Sequence, residues 1–303
     1  MPLWKSLLLS LYYYGTCPAR WSDAWCRALE GRAPLIVLFY HRVADDAAGE
    51  ETCSNRVFAR QIRWLAARFE MISLAEVQRR IRTGENARSA VHVTFDDGYS
   101  ENCQAAIPLL VKMRIPCTYF VTAGNVFSGR PFAHDVARGH HFPPNTVEQL
   151  RAMAAAGIEI GAHTETHADL AGLTDRRRLY QEVVVAGQEL RAAIGRAVRY
   201  FAFPFGQYMN LSSDVFQLAR EAGYEAVCSA YGGYNFPGGD PFHIQRIPVD
   251  GDMIRLKNHA SVDFRKLGVP PFAYETDAPL VPALRVGTPQ TDARRPPGDP
   301  HVA

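Results

Sequence analysis

The sequence lacks several features that would assign it to a class of protein directly. Its six cysteines form no C-x-x-C pair and no zinc-ribbon spacing, so the common cysteine-based metal motifs are excluded. It also lacks an excess of charge of one sign, because 33 basic residues stand against 31 acidic ones. That balance gives no basis for a nucleic-acid partner. No internal repeat is obvious, and isolated cysteines make a reducing compartment the simpler interpretation.

The N-terminal extension, residues 1–33, has no apolar run long enough to span a membrane. It begins "MPLWKSLLLSLYYYGTCPA", and a single early lysine followed by three tyrosines makes a poor signal peptide. Because Trp4 and the tyrosines at 12–14 are residues that favour a membrane boundary, an interfacial helix is the competing interpretation. We therefore expect a cytoplasmic or membrane-peripheral protein, and export is the remaining alternative.

Apolar runs alternate with helical patterns through the middle of the chain. "APLIVLFYHRV", "AVHVTF" and "PCTYFVTAG" are typical of strands buried on both faces. "SNRVFARQIRWLAARF" and "TVEQLRAMAAAG" have the periodicity of amphipathic helices. This alternation predicts a parallel sheet, open or closed into a barrel. We place one catalytic domain at 34–266, followed by a Pro-rich tail, 267–303, that is disordered or wraps the surface.

Polar side chains that could act in catalysis or bind a metal come directly after several of the apolar runs. Asp96 and Asp97 follow "VHVTF", His163 and His167 follow "IEIGA", and His41 follows "LIVLFY". In parallel α/β folds the carboxyl ends of the strands face one crevice or barrel mouth. We therefore expect these distant segments to meet at one site.

The motifs "HTETH" and "DDG" complement each other chemically. Two histidines four residues apart can bind one metal if the segment makes a helical turn after the strand. Alone, "HTETH" could be a solvent-exposed histidine pair without a function. Alone, "DDG" could be an acidic turn that ends a strand. Neighbouring side chains on a strand point to opposite faces, so Asp96 and Asp97 cannot share one task. One carboxylate is expected to bind the metal, and the other to remain free to take a proton from water.

Three motifs in order, "TFDDG", "HTETH" and "FAFPFG", resemble those of the NodB-homology polysaccharide deacetylases, carbohydrate esterase family 4. The resemblance covers residues 34 to 250. It implies a distorted (β/α)7 barrel, in which about seven strands form the wall. It also implies that Asp96 is the general base and that Asp97, His163 and His167 hold a divalent metal. Zn2+ is the usual ion in the family, although this ligand set also suits Co2+, Ni2+ or Fe2+.

The chain departs from the common family pattern at two places. The third motif usually reads R-x-P-x-G, but position 202 is an alanine, and the late L-x-H motif has no match. The poly-N-acetylglucosamine deacetylases, whose barrel is circularly permuted, resemble the chain better. By that resemblance His41 is the candidate general acid, and Arg246 is our candidate for the positive charge beside Asp96. A histidine that merely ends a strand, and a purely structural arginine, are the alternatives.

The expected reaction is removal of acetyl groups from an N-acetylated sugar, in an N-acetylglucosamine-type glycan or a glycolipid precursor. The backbone N–H of Phe205, in the turn after Pro204, is the candidate oxyanion donor, and Tyr208 a candidate contact to the sugar. A metal amidohydrolase acting on a small cyclic amide and a glycan-binding barrel without turnover are the alternatives. A glycosidase does not fit, because its two carboxyls stand at least about 5 Å apart and need no histidine pair. The sequence is silent on oligomeric state.

Overall fold

Strands and helices alternate along the chain as the apolar pattern predicts. The computed structural model describes residues 3–46 and 51–274, so most of the predicted tail, 275–303, lies outside the described residues. The strands are β1 (Leu35–Tyr40), β2 (Arg42–Val43), β3 (Thr52–Cys53), β4 (Glu70–Met71), β5 (Ala90–Phe95), β6 (Cys117–Val121), β7 (Glu159–Ala162), β8 (Tyr200–Ala202), β9 (Ala226–Cys228), β10 (His243–Ile244) and β11 (Ile247–Pro248). The helices are α1 (Leu3–Leu29), α2 (Asn55–Ala66), α3 (Leu74–Thr83), α4 (Ala106–Met113), α5 (Ala123–Ser128), α6 (Ala133–Ala137), α7 (Val147–Ala155), α8 (Arg176–Tyr180), α9 (Ala186–Ile194), α10 (Ser213–Glu221) and α11 (Met253–Ala260).

The main sheet is parallel and curls round onto itself. Its strands follow the order β10-β9-β8-β7-β6-β5-β1-β11, and β4 pairs with the beginning of β5. The two ends of this order are consecutive parts of one extended segment, 243–248. That segment pairs with β9 through His243 and Ile244 and with β1 through Ile247 and Pro248. Counting it once gives seven strands around the wall, which confirms the predicted distorted barrel.

The sequence forms these elements for local reasons that can be named. Every residue of β1 and β5 is buried, as expected for strands covered on both faces. α2 and α3 begin at serines whose hydroxyls accept a backbone hydrogen bond, and α3 ends at Gly84 in the left-handed conformation. Thr146 and Gln149 form a reciprocal capping box at the start of α7. α3 and α11 were not among the predicted helices.

The N-terminal extension forms α1, which lies along α11. The guanidinium of Arg20 is buried and donates to the backbone carbonyls of Asn258, Ser261 and Val262 at the end of α11. These carbonyls have no partner within the helix, so the arginine caps it. At the other end Ser6 donates to Asp252, the N-cap residue of α11, over 3.3 Å. α1 is thereby fixed on the domain by polar contacts at both ends of α11.

The far side of α1 carries a row of large apolar side chains that the domain does not cover. They are Trp4, Leu7, Leu8, Leu11, Tyr14, Trp21, Trp25 and Leu29, each more than half exposed. Across residues 3–46 and 51–274 no helix is both long and apolar enough to cross a membrane.

The beginning of the predicted tail wraps the surface. Tyr274 stacks on Phe216 of α10 at a ring separation of 4.1 Å, and Phe272 packs beside it. The domain boundaries themselves, at residues 33 and 266, stay predictions.

Candidate active site

The polar residues singled out from the sequence lie at the carboxyl ends of the strands. His41 follows β1, Asp96 follows β5 and His163 follows β7, while Arg246 lies between β10 and β11. The parallel direction of these strands places all four side chains at the same end of the barrel.

The two adjacent aspartates are separated by a tight turn. We had expected the alternation of side chains along a strand to separate them. β5 ends at Phe95, and the N–H of Gly98 donates to the carbonyl of Asp96 over 2.9 Å. This hydrogen bond closes a three-residue turn whose central residue, Asp97, has a φ of 71°. Such a conformation is strained for a residue with a side chain, and strain of this kind gathers at functional sites. The turn directs the Asp97 carboxylate away from that of Asp96.

Asp97, His163 and His167 form a compact group of potential metal ligands. One ligand atom from each lies within 4.8 Å of the others. Oδ1 of Asp97 is 3.1 Å from Nε2 of His167 and 3.5 Å from Nε2 of His163. The expected helical turn between the histidines is absent, because 163–167 forms a bend in which Thr164 and His167 have positive φ. The spacing of four residues brings the imidazoles together through that bend.

The donor set fits a divalent cation. His163 has its Nδ1 2.8 Å from the carbonyl oxygen of Ala202, which fixes the proton on Nδ1 and leaves the Nε2 lone pair free to bind a metal. Oδ1 of Asp97 is buried, yet within the described part of the chain it accepts no hydrogen bond of acceptable geometry. Two imidazoles and one carboxylate leave positions open for water and substrate, which is typical of catalytic centres.

The Asp97 carboxylate and the neighbouring imidazoles stabilise each other's charged forms. Burial raises the pKa of Asp97, but the imidazoles of His167 and His163 outweigh it and hold that pKa well below its ordinary value. Burial lowers the pKa of His167, but the Asp97 carboxylate outweighs it, so the pKa is raised. The anionic carboxylate is the form that binds a cation, and a bound cation would displace any proton from Nε2 of His167.

Asp96 is held by Arg246 in a buried, two-pronged ion pair. The guanidinium donates to Oδ1 over 2.6 Å and to Oδ2 over 2.8 Å. Arg246 is fully buried, donates also to the carbonyl oxygen of Ser229, and lies over the rings of Phe39 and Phe120. Its planar fork is thereby fixed, as bidentate binding of a carboxylate requires.

His41 also lies close to Asp97, in a second group that includes Glu51. A ligand atom of His41 is within 4.8 Å of the Asp97 carboxylate, and its Nε2 is 3.6 Å from Glu51. The imidazole is partly exposed and lines a cavity of about 310 Å3 together with Tyr99 and His134. The structure therefore places His41 between the Asp97 carboxylate and this cavity.

The turn after β8 has the same form as the turn after β5. The N–H of Gly206 donates to the carbonyl of Pro204 over 2.6 Å, and Phe205 between them has a φ of 59°. The Phe205 N–H makes no hydrogen bond to the described residues, and its ring lies 5.2 Å from that of His167. Tyr208 lies farther out, half exposed, and packs edge-on to Tyr231 and Phe272.

Comparison with known proteins shows that the chain is similar to deacetylases. The family model described as Polysaccharide deacetylase matches residues 83–227, a range that includes both aspartates and both histidines. The structure of IcaB from Ammonifex degensii superposes with a TM-score of 0.62 at 27% identity, over 76% of this chain and 98% of that one. Over residues 83–227 the chain resembles the polysaccharide deacetylase family. The resemblance predicted from the sequence is thus confirmed.

Two curated members of the family match along part of their length. A Bacillus subtilis (strain 168) protein, YxkH, described as a polysaccharide deacetylase, is 26% identical over 206 residues, 67% of this chain and 67% of its own. A chitooligosaccharide deacetylase of Bradyrhizobium sp. (strain ANU 289) is 31% identical over 160 residues, 52% of this chain and 63% of its own. The chain thus spans about two thirds of the length of these family members.

Some residues beside this candidate site were missed by the sequence analysis. Tyr99 donates to the Asp135 carboxylate over 2.8 Å, and its hydroxyl lies 3.3 Å from Nε2 of His134. The ring of His134 in turn lies 5.6 Å from that of His167. Tyr99, His134 and Asp135 line the cavity beside the ligand group. The only sequence signal was the density of histidines in "FAHDVARGHHF", which has no metal-ligand spacing.

Proposed function

We propose that this protein is a metal-dependent hydrolase that removes acetyl groups from N-acetylated sugars, in an N-acetylglucosamine-type glycan or a glycolipid precursor. The observation that carries the proposal is the buried group of Asp97, His163 and His167 with the Asp96–Arg246 pair beside it. The name chitooligosaccharide deacetylase, given to the Bradyrhizobium relative, supports the substrate class. Zn2+ is our preferred ion, although Co2+, Ni2+ and Fe2+ suit the same ligands.

The residues divide the chemistry between them. When bound, the metal polarises the acetamide carbonyl and acidifies the attacking water. Asp96 takes the proton of that water, because Arg246 holds its carboxylate in one orientation next to the ligand Asp97. The free N–H of Phe205 donates to the carbonyl oxygen as it gains negative charge. His41, which lies close to Asp97 at the cavity wall, protonates the departing amine.

The cavity beside the ligand group suits a small polar substrate. Its volume of about 310 Å3 lies at the lower end of ligand pockets, which run from about 300 to 1,000 Å3. Its walls carry His41, Tyr99 and Asp135, which can exchange hydrogen bonds with sugar hydroxyls. A sugar ring therefore suits it better than a large apolar ligand.

Acetate release from N-acetylglucosamine oligomers tests the proposal. The wild type should release acetate, and Asp96→Asn should lower the rate by about 10²–10⁴-fold, the usual contribution of a general base. An unchanged rate in Asp96→Asn would overturn the assignment of the base. Hydantoin-type cyclic amides belong in the same screen, because a metal amidohydrolase is the second candidate. A glycan-binding barrel without turnover is less well supported, since Arg246 supplies the charge that Ala202 cannot.

The outer face of α1 supports a peripheral contact with a lipid bilayer as part of this proposal. Three of the four tryptophans of the chain, Trp4, Trp21 and Trp25, lie exposed on that face. Lys5 is the one charged residue between positions 3 and 19, and it is basic, so the N-terminal half of the helix suits an anionic bilayer. A membrane-bound glycolipid precursor would then be within reach of the enzyme.

A further inference from the structure

The carboxylate of Glu182 makes three hydrogen bonds to the bend that carries the two ligand histidines. Its Oε2 accepts from the backbone N–H groups of Glu165 and Thr166 over 3.0 and 2.9 Å. Its Oε1 accepts from the hydroxyl of Thr166 over 2.6 Å. Glu182 is buried, with 2% of its surface exposed, although it belongs to a different element. A buried carboxylate that accepts three hydrogen bonds fixes the segment that donates them.

The bend needs such a support because its backbone is strained. Thr164 and His167 have φ values of 66° and 59°, in a region that residues with a β-carbon rarely occupy. On its other side, the N–H groups of Ala123 and Gly124 at the start of α5 donate to the carbonyls of Thr164 and Glu165. The bend is thus held between α5 and Glu182, and both of its ends are metal ligands.

A π-helical turn directs Glu182 at the bend. Residues Gln181–Val185 form this turn between α8 and α9, so the helix gains one residue. The hydroxyl of Tyr224 donates to the carbonyl of Val183 over 2.8 Å, and the contact needs Gly187. A β-carbon at position 187 would lie 1.9 Å from that hydroxyl oxygen. The glycine and the tyrosine therefore maintain the irregular turn, and the turn presents the carboxylate.

We infer that Glu182 is a positioning residue that sets the geometry of His163 and His167 as metal ligands, through the backbone of the bend between them. The inference rests on the proposed function only in taking these histidines as ligands. Residues that support a metal ligand commonly contribute 10–100-fold to metal affinity. Glu182 touches neither substrate nor ligand side chain, so its effect passes through Glu165 and Thr166.

Co2+ titration of the purified full chain, followed by visible absorption, measures this effect. Glu182→Ala should weaken Co2+ binding by about 10–100-fold. Glu182→Gln should bind close to wild type, because its amide oxygen can accept both N–H groups and its NH2 can donate to Thr166. Glu189→Ala is the matched control, since it removes an exposed carboxylate from the same helical stretch and should leave Co2+ affinity unchanged.

Amide hydrogen exchange at His167 in chelator provides a second readout that needs neither metal nor turnover. The His167 N–H donates to the Thr164 hydroxyl over 2.9 Å, so it exchanges faster if the bend loosens. Tyr224→Phe removes only the hydrogen bond to Val183 and is a milder variant in case Glu182→Ala does not fold. It should also weaken Co2+ binding and speed up amide exchange at His167, but less than Glu182→Ala does. Unchanged Co2+ affinity and unchanged exchange in a folded variant would overturn the inference. Failure of the wild type to release acetate would count against the proposed function alone.

Discussion

Arg246 holds both carboxylate oxygens of Asp96, at 2.6 and 2.8 Å, from a strand segment 150 residues farther along the chain. In the common family motif the corresponding positive charge precedes the P-x-G turn, where this chain has Ala202. The segment 243–248 closes the barrel between β9 and β1, and Arg246 lies on it. The positive charge therefore comes from a different part of the sequence than in the common motif, and it binds the carboxylate through both oxygens.

Arg246→Met should destabilise the protein by about 3–5 kcal/mol, because it leaves the buried charge of Asp96 without a partner. The free energy of unfolding in urea measures the change. The double variant Asp96→Asn/Arg246→Met should recover part of the loss, since a neutral amide is cheaper to bury alone than a carboxylate. If the double variant is no more stable than the single one, the ion pair does not account for the loss.

Chelation should abolish acetate release, and Zn2+ or Co2+ should restore it in the wild type. The same additions should not restore His167→Ala, because it removes one of the three ligands and leaves only Asp97 and His163 of the group. His141→Ala, an exposed histidine in the segment before α7, is the matched control and should behave as wild type. Full activity of chelated wild type would contradict a metal-dependent reaction.

Much of this architecture could be predicted from the sequence, because the decisive signals are local. The continuous apolar runs of β1 and β5 marked strands buried on both faces, and the residues after them lie at one end of the barrel. The joint appearance of "DDG" and "HTETH" predicts that Asp97, His163 and His167 lie together, as they do in the fold.

Most of the remaining features depend on contacts between distant segments, which no local pattern records, and the turn at Asp97 is the local exception. The positive φ of Asp97 separates the two aspartates, whereas strand alternation was the expected cause. The π-helical turn around Glu182 depends on Tyr224 and Gly187, which face each other only after folding. Glu182 itself offered one weak signal, an acidic residue on the apolar face of "LYQEVVVAG".

His41→Gln should lower kcat for acetate release by about 10²–10⁴-fold and change KM much less, because proton donation to the amine is needed only in the transition state. The imidazole lies at the cavity wall, so the variant keeps the ligand group intact. Steady-state rates on N-acetylglucosamine oligomers separate the two parameters. A rise in KM at constant kcat would instead make His41 a binding residue.

Acid should destabilise the fold through buried neutral histidines such as His92. Burial lowers the pKa of His92 to about 4, and its two ring nitrogens lie 2.8 Å from the carbonyl oxygen of Ile72 and 3.0 Å from the hydroxyl of Thr118. The unfolded chain, with a histidine pKa near 6.5, binds the proton first, so stability present above about pH 6.5 is lost as the pH falls towards 4.

The expected loss from His92 between pH 7.5 and 5.0 is about 2 kcal/mol in the free energy of unfolding. Urea titrations in chelator at the two pH values measure it for wild type and for His92→Gln. Comparing the two proteins cancels the other titrating groups, including His167, whose raised pKa acts in the opposite direction. Equal pH dependence in both proteins would show that His92 is not held neutral.

The outer face of α1 should bind anionic vesicles. In a flotation assay, phosphatidylcholine–phosphatidylglycerol vesicles should carry the wild type upward. The double variant Leu8→Glu/Leu11→Glu should stay at the bottom, because its two carboxylates disfavour insertion into the bilayer and are repelled by the anionic surface. Val111→Glu changes a partly exposed apolar residue on α4 and is the matched control, which should float as the wild type does. Because α1 is held on α11 through the opposite side, by Arg20, the variant should remain folded. Equal flotation of both α1 proteins, or none by the wild type, would contradict this surface as the membrane contact.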